Sequence, residues 1–207
     1  MNAAIEGAPR RPVHYWYDDG LAEIGVGLLF LVLAALFAVE GRAPAGSLPP
    51  WFSALGLPVV VVSGMIVLGL SMRAVKERLT YPRTGYVSYP RTGPARKWLA
   101  GVIGGGVSFL LVLFLAARPD WMIALPALQG AAVAVVFLLL SFRSGVLRLA
   151  LQGVLALATG LIVSFVGVGT SVSTALVFGS VGLASLISGL LVLAHYLRTT
   201  APPAGAA

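Results

Sequence analysis

Long uninterrupted apolar blocks constrain this chain more than any other feature of its sequence. Each is about 20 residues long, and they occupy residues 21–39, 53–72, 98–117, 121–142, 147–167 and 174–196. A helix of about 20 apolar residues, rising 1.5 Å per residue, crosses the roughly 30 Å hydrocarbon core of a bilayer. We therefore predict an all-α fold, a polytopic bundle of six transmembrane helices.

The composition favours a membrane protein over a water-soluble one. Hydrophobic residues make up 58% of the 207 residues and charged residues only 10%, with a mean hydropathy of +0.96. Soluble domains carry roughly 25% charged residues, so a soluble fold of this length could not cover so much apolar surface. The first block also exceeds the apolar core of a signal peptide, about 7 to 15 residues, so we expect it to be retained as a membrane helix.

The polar segments between and beyond these blocks predict a single membrane domain with short tails. We expect a cytoplasmic tail at residues 1–19, a six-helix membrane domain at 20–197 and a disordered tail at 198–207. Residues 73–97 form the longest polar connection and are predicted to be a cytoplasmic loop.

The basic residues predict how the bundle is oriented. On alternating sides of the six spans, 12 of the 14 Lys and Arg residues fall on one side, and only Arg42 and Arg118 fall on the other. Positive charge accumulates on the cytoplasmic side of membrane proteins, so both termini are predicted to lie in the cytoplasm (N-in/C-in), with the bundle in the cytoplasmic (inner) membrane.

The same basic residues indicate which kind of partner the chain binds. The net charge of +7 could suggest nucleic acid, but half of the basic residues lie in the 73–97 loop, between two apolar blocks. Basic loops beside membrane helices attract anionic lipid headgroups. We therefore expect membrane lipids, and no nucleic acid, as partners of this face.

The 73–97 loop carries a repeated motif, YPRTG, at residues 81–85 and 89–93. Proline fixes one backbone dihedral and glycine tolerates a positive one, so each copy predicts a turn. Amides in such turns, together with arginines, can hold a phosphate of a lipid or a solute. The candidate site comprises Arg78, Tyr81, Arg83, Thr84, Gly85, Tyr86, Tyr89 and Arg91.

Two carboxylates, Asp19 and Glu23, stand at the start of the first predicted span on the same membrane face as the loop. A carboxylate inside a span is costly unless it is paired or reaches water. Arg78, Arg83 or Arg91 could pair with these acids, which would anchor the loop across the end of the bundle. A surface that docks another protein is a third interpretation of the loop.

The sequence resembles a family of uncharacterised prokaryotic multi-pass membrane proteins. The family carries a tyrosine-rich DG-x-x-E start to its first helix, matched here by Asp19, Gly20 and Glu23, and an ER-x-TYPRTGYV loop, matched by residues 77–87. The resemblance covers about the first hundred residues. It implies a membrane protein of unknown activity and assigns no catalytic residue. The second YPRTG copy departs from the family pattern.

Catalytic and metal chemistry finds little support in the sequence. There is no cysteine, and the two histidines, His14 and His195, lie near the predicted cytoplasmic boundary without carboxylates at ligand spacing. We therefore expect no catalytic residue, no metal and no cofactor.

The interior of the predicted spans offers packing groups and a few polar side chains. Gly101 and Gly105 form a GxxxG pair, which predicts close helix packing in the monomer or in a homodimer. Gln129 and Gln152 are expected to form hydrogen bonds between helices.

The leading prediction is a non-enzymatic membrane protein whose loop engages anionic lipid or a protein partner. A small-solute transporter or permease subunit is the alternative.

Overall fold

The computed structural model describes residues 17–44, 46–80 and 119–200. They form helices α1 (Leu21–Arg42), α2 (Pro50–Val75), α3 (Leu125–Ser144), α4 (Leu147–Val166) and α5 (Thr170–Thr199). A π-helical turn at Lys76–Thr80 extends α2, and a 3-10 turn at Pro119–Ala124 precedes α3. Within these three ranges there is no strand, which confirms the predicted all-α class.

Five helical segments of the described chain are long and apolar enough to cross a membrane. They are Leu21–Arg42, Val59–Arg78, Leu125–Ser144, Leu147–Val166 and Thr170–Thr199. These correspond to the first, second, fourth, fifth and sixth predicted spans. The third predicted span, at 98–117, lies outside the described residues, as does its Gly101 and Gly105 pair.

Small and polar residues occupy many of the buried positions, beside a few large ones such as Phe137 and Leu149, and many other large apolar side chains face outward. Phe165 is 88% exposed and Leu70 is 65% exposed, whereas Ser185 and Ala156 are fully buried. A soluble protein does not expose so much contiguous apolar surface. This distribution suits a bundle surrounded by hydrocarbon, where large side chains face the lipid and small ones allow helices to approach.

Helices α1 and α5 run antiparallel in close contact, through glycines spaced seven residues apart on each. A Cβ atom on Gly20 would lie 2.4 Å from the carbonyl oxygen of Gly189. One on Gly27 would lie 2.9 Å from the carbonyl oxygen of Gly182. Only glycine permits this backbone approach, so these four positions fix how α1 lies against α5.

Helices α3 and α4 form an antiparallel hairpin, as the short connection between their apolar blocks predicts. Gly145 ends α3 in the left-handed region with φ of 73°. Farther along the pair, Gly130 faces Gly160, with a Cβ on Gly130 only 3.1 Å from the Gly160 Cα. The Ala127 amide donates to Ser164 Oγ at 3.0 Å, so the start of α3 lies beside the end of α4.

Candidate functional site

A buried carboxylate lies at the end of the bundle where α1 begins. Glu23 is 2% exposed in the first turn of α1. Its Oε1 accepts a hydrogen bond from Arg148 Nε at 2.5 Å. Its Oε2 accepts from Ser188 Oγ at 2.7 Å and from Gln152 Nε2 at 3.4 Å. Residues of α4 and α5 thus satisfy both oxygens of a carboxylate on α1.

The Glu23 contacts continue into a network that joins three helices. Gln152 Oε1 accepts a hydrogen bond from Ser185 Oγ of α5 at 3.0 Å. The Arg148 guanidinium also donates through Nη2 to the Tyr17 carbonyl oxygen, before α1 begins. Because each side chain of the network has a hydrogen-bonding partner, these bonds compensate the burial of the Glu23 charge.

A second buried ion pair ties α2 to the start of α1. Lys76 Nζ lies 2.8 Å from Asp19 Oδ2, and both side chains are almost fully buried. Asp19 Oδ1 also accepts a hydrogen bond from the Leu21 amide at 3.1 Å, which satisfies one free N–H at the helix start. Buried pairs of this kind hold two elements in register when further hydrogen bonds compensate desolvation.

Within the described residues the structure pairs both acids with cations, while Arg83 and Arg91 lie outside those residues. Glu23 pairs with Arg148 on α4, and Asp19 pairs with Lys76 at the beginning of the 73–97 segment. Arg78 is exposed in the π-helical turn. Both α1 and α4 pack against α5, and the Arg148 side chain at the start of α4 reaches Glu23.

Seven candidate phosphate-site residues lie outside the described part of the chain. They are Tyr81, Arg83, Thr84, Gly85, Tyr86, Tyr89 and Arg91. Phosphate binding by the two YPRTG copies therefore stays a prediction.

Sequence reasoning missed the role of Arg148, Ser185 and Ser188. Arg148 and Gln152 are four residues apart at the start of α4, a spacing that places two side chains on one face of a helix. That face could have been matched to Glu23 from the sequence. Ser185 and Ser188 gave no comparable signal, since serines are common in the apolar blocks.

Gln129 and Gln152 form hydrogen bonds between helices, as predicted. Gln129 Oε1 accepts a hydrogen bond from Thr174 Oγ1 of α5 at 3.0 Å, while Gln152 links Glu23 to Ser185. Ser180 of α5 donates similarly to Thr159 of α4 at 3.2 Å. These polar side chains bond to each other, which suits helix association in a membrane.

A cavity of about 720 Å³ lies beside the buried carboxylate, between α1, α2 and α3. Its walls are mostly apolar, and Tyr17, Glu23 and Ser185 contribute polar atoms near one end. Glu23 is already bonded to three side chains, so this cavity is not an open polar cleft with an available carboxylate. Such a space suits an apolar ligand better than a charged substrate.

Tyr17 lies where this cavity meets the end of the bundle. Burial raises the pKa of its phenol above the ordinary value, and the negative charge of Glu23 raises the pKa further. The positive charge of Arg143, at the end of α3, acts in the opposite direction. The phenol is therefore neutral at physiological pH, and Arg143 lies close enough for its charge to act there.

No family model, curated protein or solved structure matches this chain. The resemblance carried by the DG-x-x-E and YPRTG motifs therefore stays a prediction from the sequence.

Proposed function

We propose that this chain is a non-enzymatic, six-span protein of the cytoplasmic membrane whose basic cytoplasmic loop engages anionic lipid headgroups. The observation that carries the proposal is the burial of Asp19 and Glu23 against Lys76 and Arg148. Because these acids are neutralised inside the bundle, they do not cancel the exposed basic charge at the same end. That end is left attractive to phosphate groups.

Chain continuity supports the sixth span. Residue 76 lies beside the start of α1, because Lys76 pairs with Asp19. The start of α3 lies at the other end, because Ala127 bonds to Ser164 near the end of α4. We therefore propose that the intervening chain passes from one end of the bundle to the other. It includes the apolar block at 98–117, which is long enough to cross a bilayer.

The positions of the charges support cytoplasmic termini. Arg78, Arg143 and Arg198 are exposed near the end at which Tyr17 and Arg148 meet. Arg42 lies at the opposite end of α1, in the same last turn as Glu40. The positive-inside rule assigns the first of these ends to the cytoplasm, and with it both termini.

The same contacts weigh against the other interpretations of the sequence. An enzyme that used Asp19 or Glu23 would need them in an open polar cleft, and both are buried in ion pairs. A solute path through the bundle would need polar groups facing water, whereas Gln129 and Gln152 bond to neighbouring helices. A small-solute transporter or permease subunit is therefore the weaker proposal.

Labelling of single cysteines tests the proposed orientation, and the natural chain offers a cysteine-free background. Ser88→Cys lies in the basic loop, and Ser47→Cys lies in the exposed connection between α1 and α2. We expect a membrane-impermeant maleimide to label Ser47→Cys in intact cells and Ser88→Cys only after permeabilisation. Labelling of Ser88→Cys in intact cells would overturn the orientation.

Neutralisation of the loop arginines tests lipid binding. We expect Arg83→Gln with Arg91→Gln to weaken the retention of anionic phospholipid roughly tenfold, because charge-assisted bonds to phosphate are lost. Native mass spectrometry of the protein extracted with its own lipids measures the bound lipid directly.

The matched control is Arg42→Gln, which removes one exposed positive charge from the opposite end. It should leave the bound anionic lipid unchanged. Equal lipid occupancy in the wild type and the double loop variant would contradict the proposal. Co-purification of a protein that the loop variant loses, with lipid unchanged, would instead support a docking surface.

A further inference from the structure

The cavity between α1, α2 and α3 occupies the half of the bundle next to its basic end. On α1 its lining extends from Ala22 to Phe30, a rise of about 12 Å along the helix. The hydrocarbon core of a bilayer is roughly 30 Å thick, so this length corresponds to most of one leaflet. The cavity thus has the depth of part of a lipid chain and does not cross the membrane.

Among the described residues, no helix covers the cavity on the side between α2 and α3, which make few contacts with each other. Its α2 wall includes Met65, Ile66 and Leu70, which are 64%, 57% and 65% exposed. Its inner wall includes Phe30 and Phe137, whose ring centroids lie 6.3 Å apart. A volume of about 720 Å³ falls within the usual range of small-molecule sites.

Two exposed arginines lie just beyond the parts of α3 and α2 that line the cavity. Arg143 comes one turn after Leu140 on α3, and Arg78 comes six residues after Met72 at the end of α2. The charge of Arg143 acts on Tyr17, which lines the same end of the cavity. An apolar cavity with cations at one end is complementary to an amphiphile that has an anionic head.

We infer that this cavity holds an acyl chain of an anionic phospholipid from the cytoplasmic leaflet, with the lipid phosphate at Arg78 and Arg143. The inference rests on the orientation in the proposed function and extends it to a second lipid contact, separate from the YPRTG turns. Hydrocarbon lies outside the cavity as well as in it, so the hydrophobic effect adds little. The shape of the cavity, and the attraction between the two arginines and the lipid phosphate, must therefore select the lipid.

A side chain placed in the cavity tests this inference. Gly69 lines the cavity, and a Cβ atom there would meet nothing within 4 Å, so Gly69→Trp can enter without a backbone clash. Val62 lies seven residues earlier on α2, on nearly the same face, and does not line the cavity. Val62→Trp is therefore the matched control.

Native mass spectrometry with added phosphatidylglycerol or phosphatidylcholine provides the measurement. We expect Gly69→Trp to lose one bound phosphatidylglycerol that the wild type and Val62→Trp retain. We expect Arg78→Gln with Arg143→Gln to weaken the binding of phosphatidylglycerol roughly tenfold and to change the binding of phosphatidylcholine little. Circular dichroism should show equal helix content in all variants.

The outcomes separate this inference from the loop proposal. Loss of lipid in Gly69→Trp, with unchanged binding in the Arg83→Gln and Arg91→Gln variant, would support the cavity and contradict the loop. Wild-type occupancy in Gly69→Trp would overturn the cavity site and leave the loop proposal intact. Equal binding of the two lipids by the wild type would overturn the assignment of an anionic head.

Discussion

Arg148→Gln is expected to lower the free energy of unfolding by about 3–5 kcal/mol, because it leaves the Glu23 carboxylate buried without its cation. Glu23 is 2% exposed, and Arg148 Nε is 2.5 Å from its Oε1. Ser188 and Gln152 can still donate hydrogen bonds but carry no charge. Reversible unfolding in mixed micelles, followed by circular dichroism, gives the free energy.

A second substitution separates loss of the charge pair from general damage. Glu23→Gln in the Arg148→Gln background removes the unpaired charge while keeping an oxygen that can accept from Ser188. We expect it to recover most of the lost stability, as a double-mutant cycle would reveal. Arg198→Gln, at an exposed site in the last turn of α5, should change stability by less than about 0.5 kcal/mol. Equal losses for Arg148→Gln and Arg198→Gln would contradict the role assigned to Arg148.

Gly27→Ala is expected to destabilise the bundle by about 1–3 kcal/mol, although it adds only one methyl group. That Cβ would lie 2.7 Å from the Leu186 amide nitrogen and 2.9 Å from the Gly182 carbonyl oxygen. These are backbone atoms of α5 that cannot rotate away, so α1 and α5 would have to separate. Thermal unfolding in detergent should show a lower midpoint than for the wild type.

Gly69→Ala is the matched control for Gly27→Ala, since its Cβ would meet nothing within 4 Å. Both changes add the same methyl group within a membrane helix. We expect the control to alter stability by less than about 0.5 kcal/mol. If the two variants were equally stable, the close approach of α1 and α5 would not be what holds them together.

Much of the helix pattern could be predicted from local sequence. The apolar blocks at 21–39 and 147–167 match α1 (Leu21–Arg42) and α4 (Leu147–Val166) closely. The block at 53–72 lies within α2, which continues to Val75, and a π-helical turn then reaches Thr80, so the predicted 73–97 loop begins with helix. These features depend on the length and hydropathy of each segment, which neighbouring helices change little.

Other boundaries depended on backbone chemistry that hydropathy does not report. The fourth block was predicted to begin at residue 121, but α3 begins at Leu125, after the 3-10 turn at Pro119–Ala124. Pro126 stands in the first turn of α3, where its missing N–H has no helical partner to lose. The start of α5 at Thr170 precedes the predicted residue 174, because Gly169 allows the chain to turn immediately before it.

The sequence by itself determined where helices form, that they are too apolar for water, and that Asp19 and Glu23 need cations. Only the tertiary structure decided which cations these are. Arg148 is 125 residues from Glu23 along the chain, and it reaches that carboxylate because α1 and α4 both pack against α5. The glycine spacing of seven is visible in α1 and in α5, yet only packing pairs Gly20 with Gly189 and Gly27 with Gly182. Hydropathy is a property of one segment, whereas an ion pair or a helix contact depends on two, and their meeting is fixed by packing of the whole bundle.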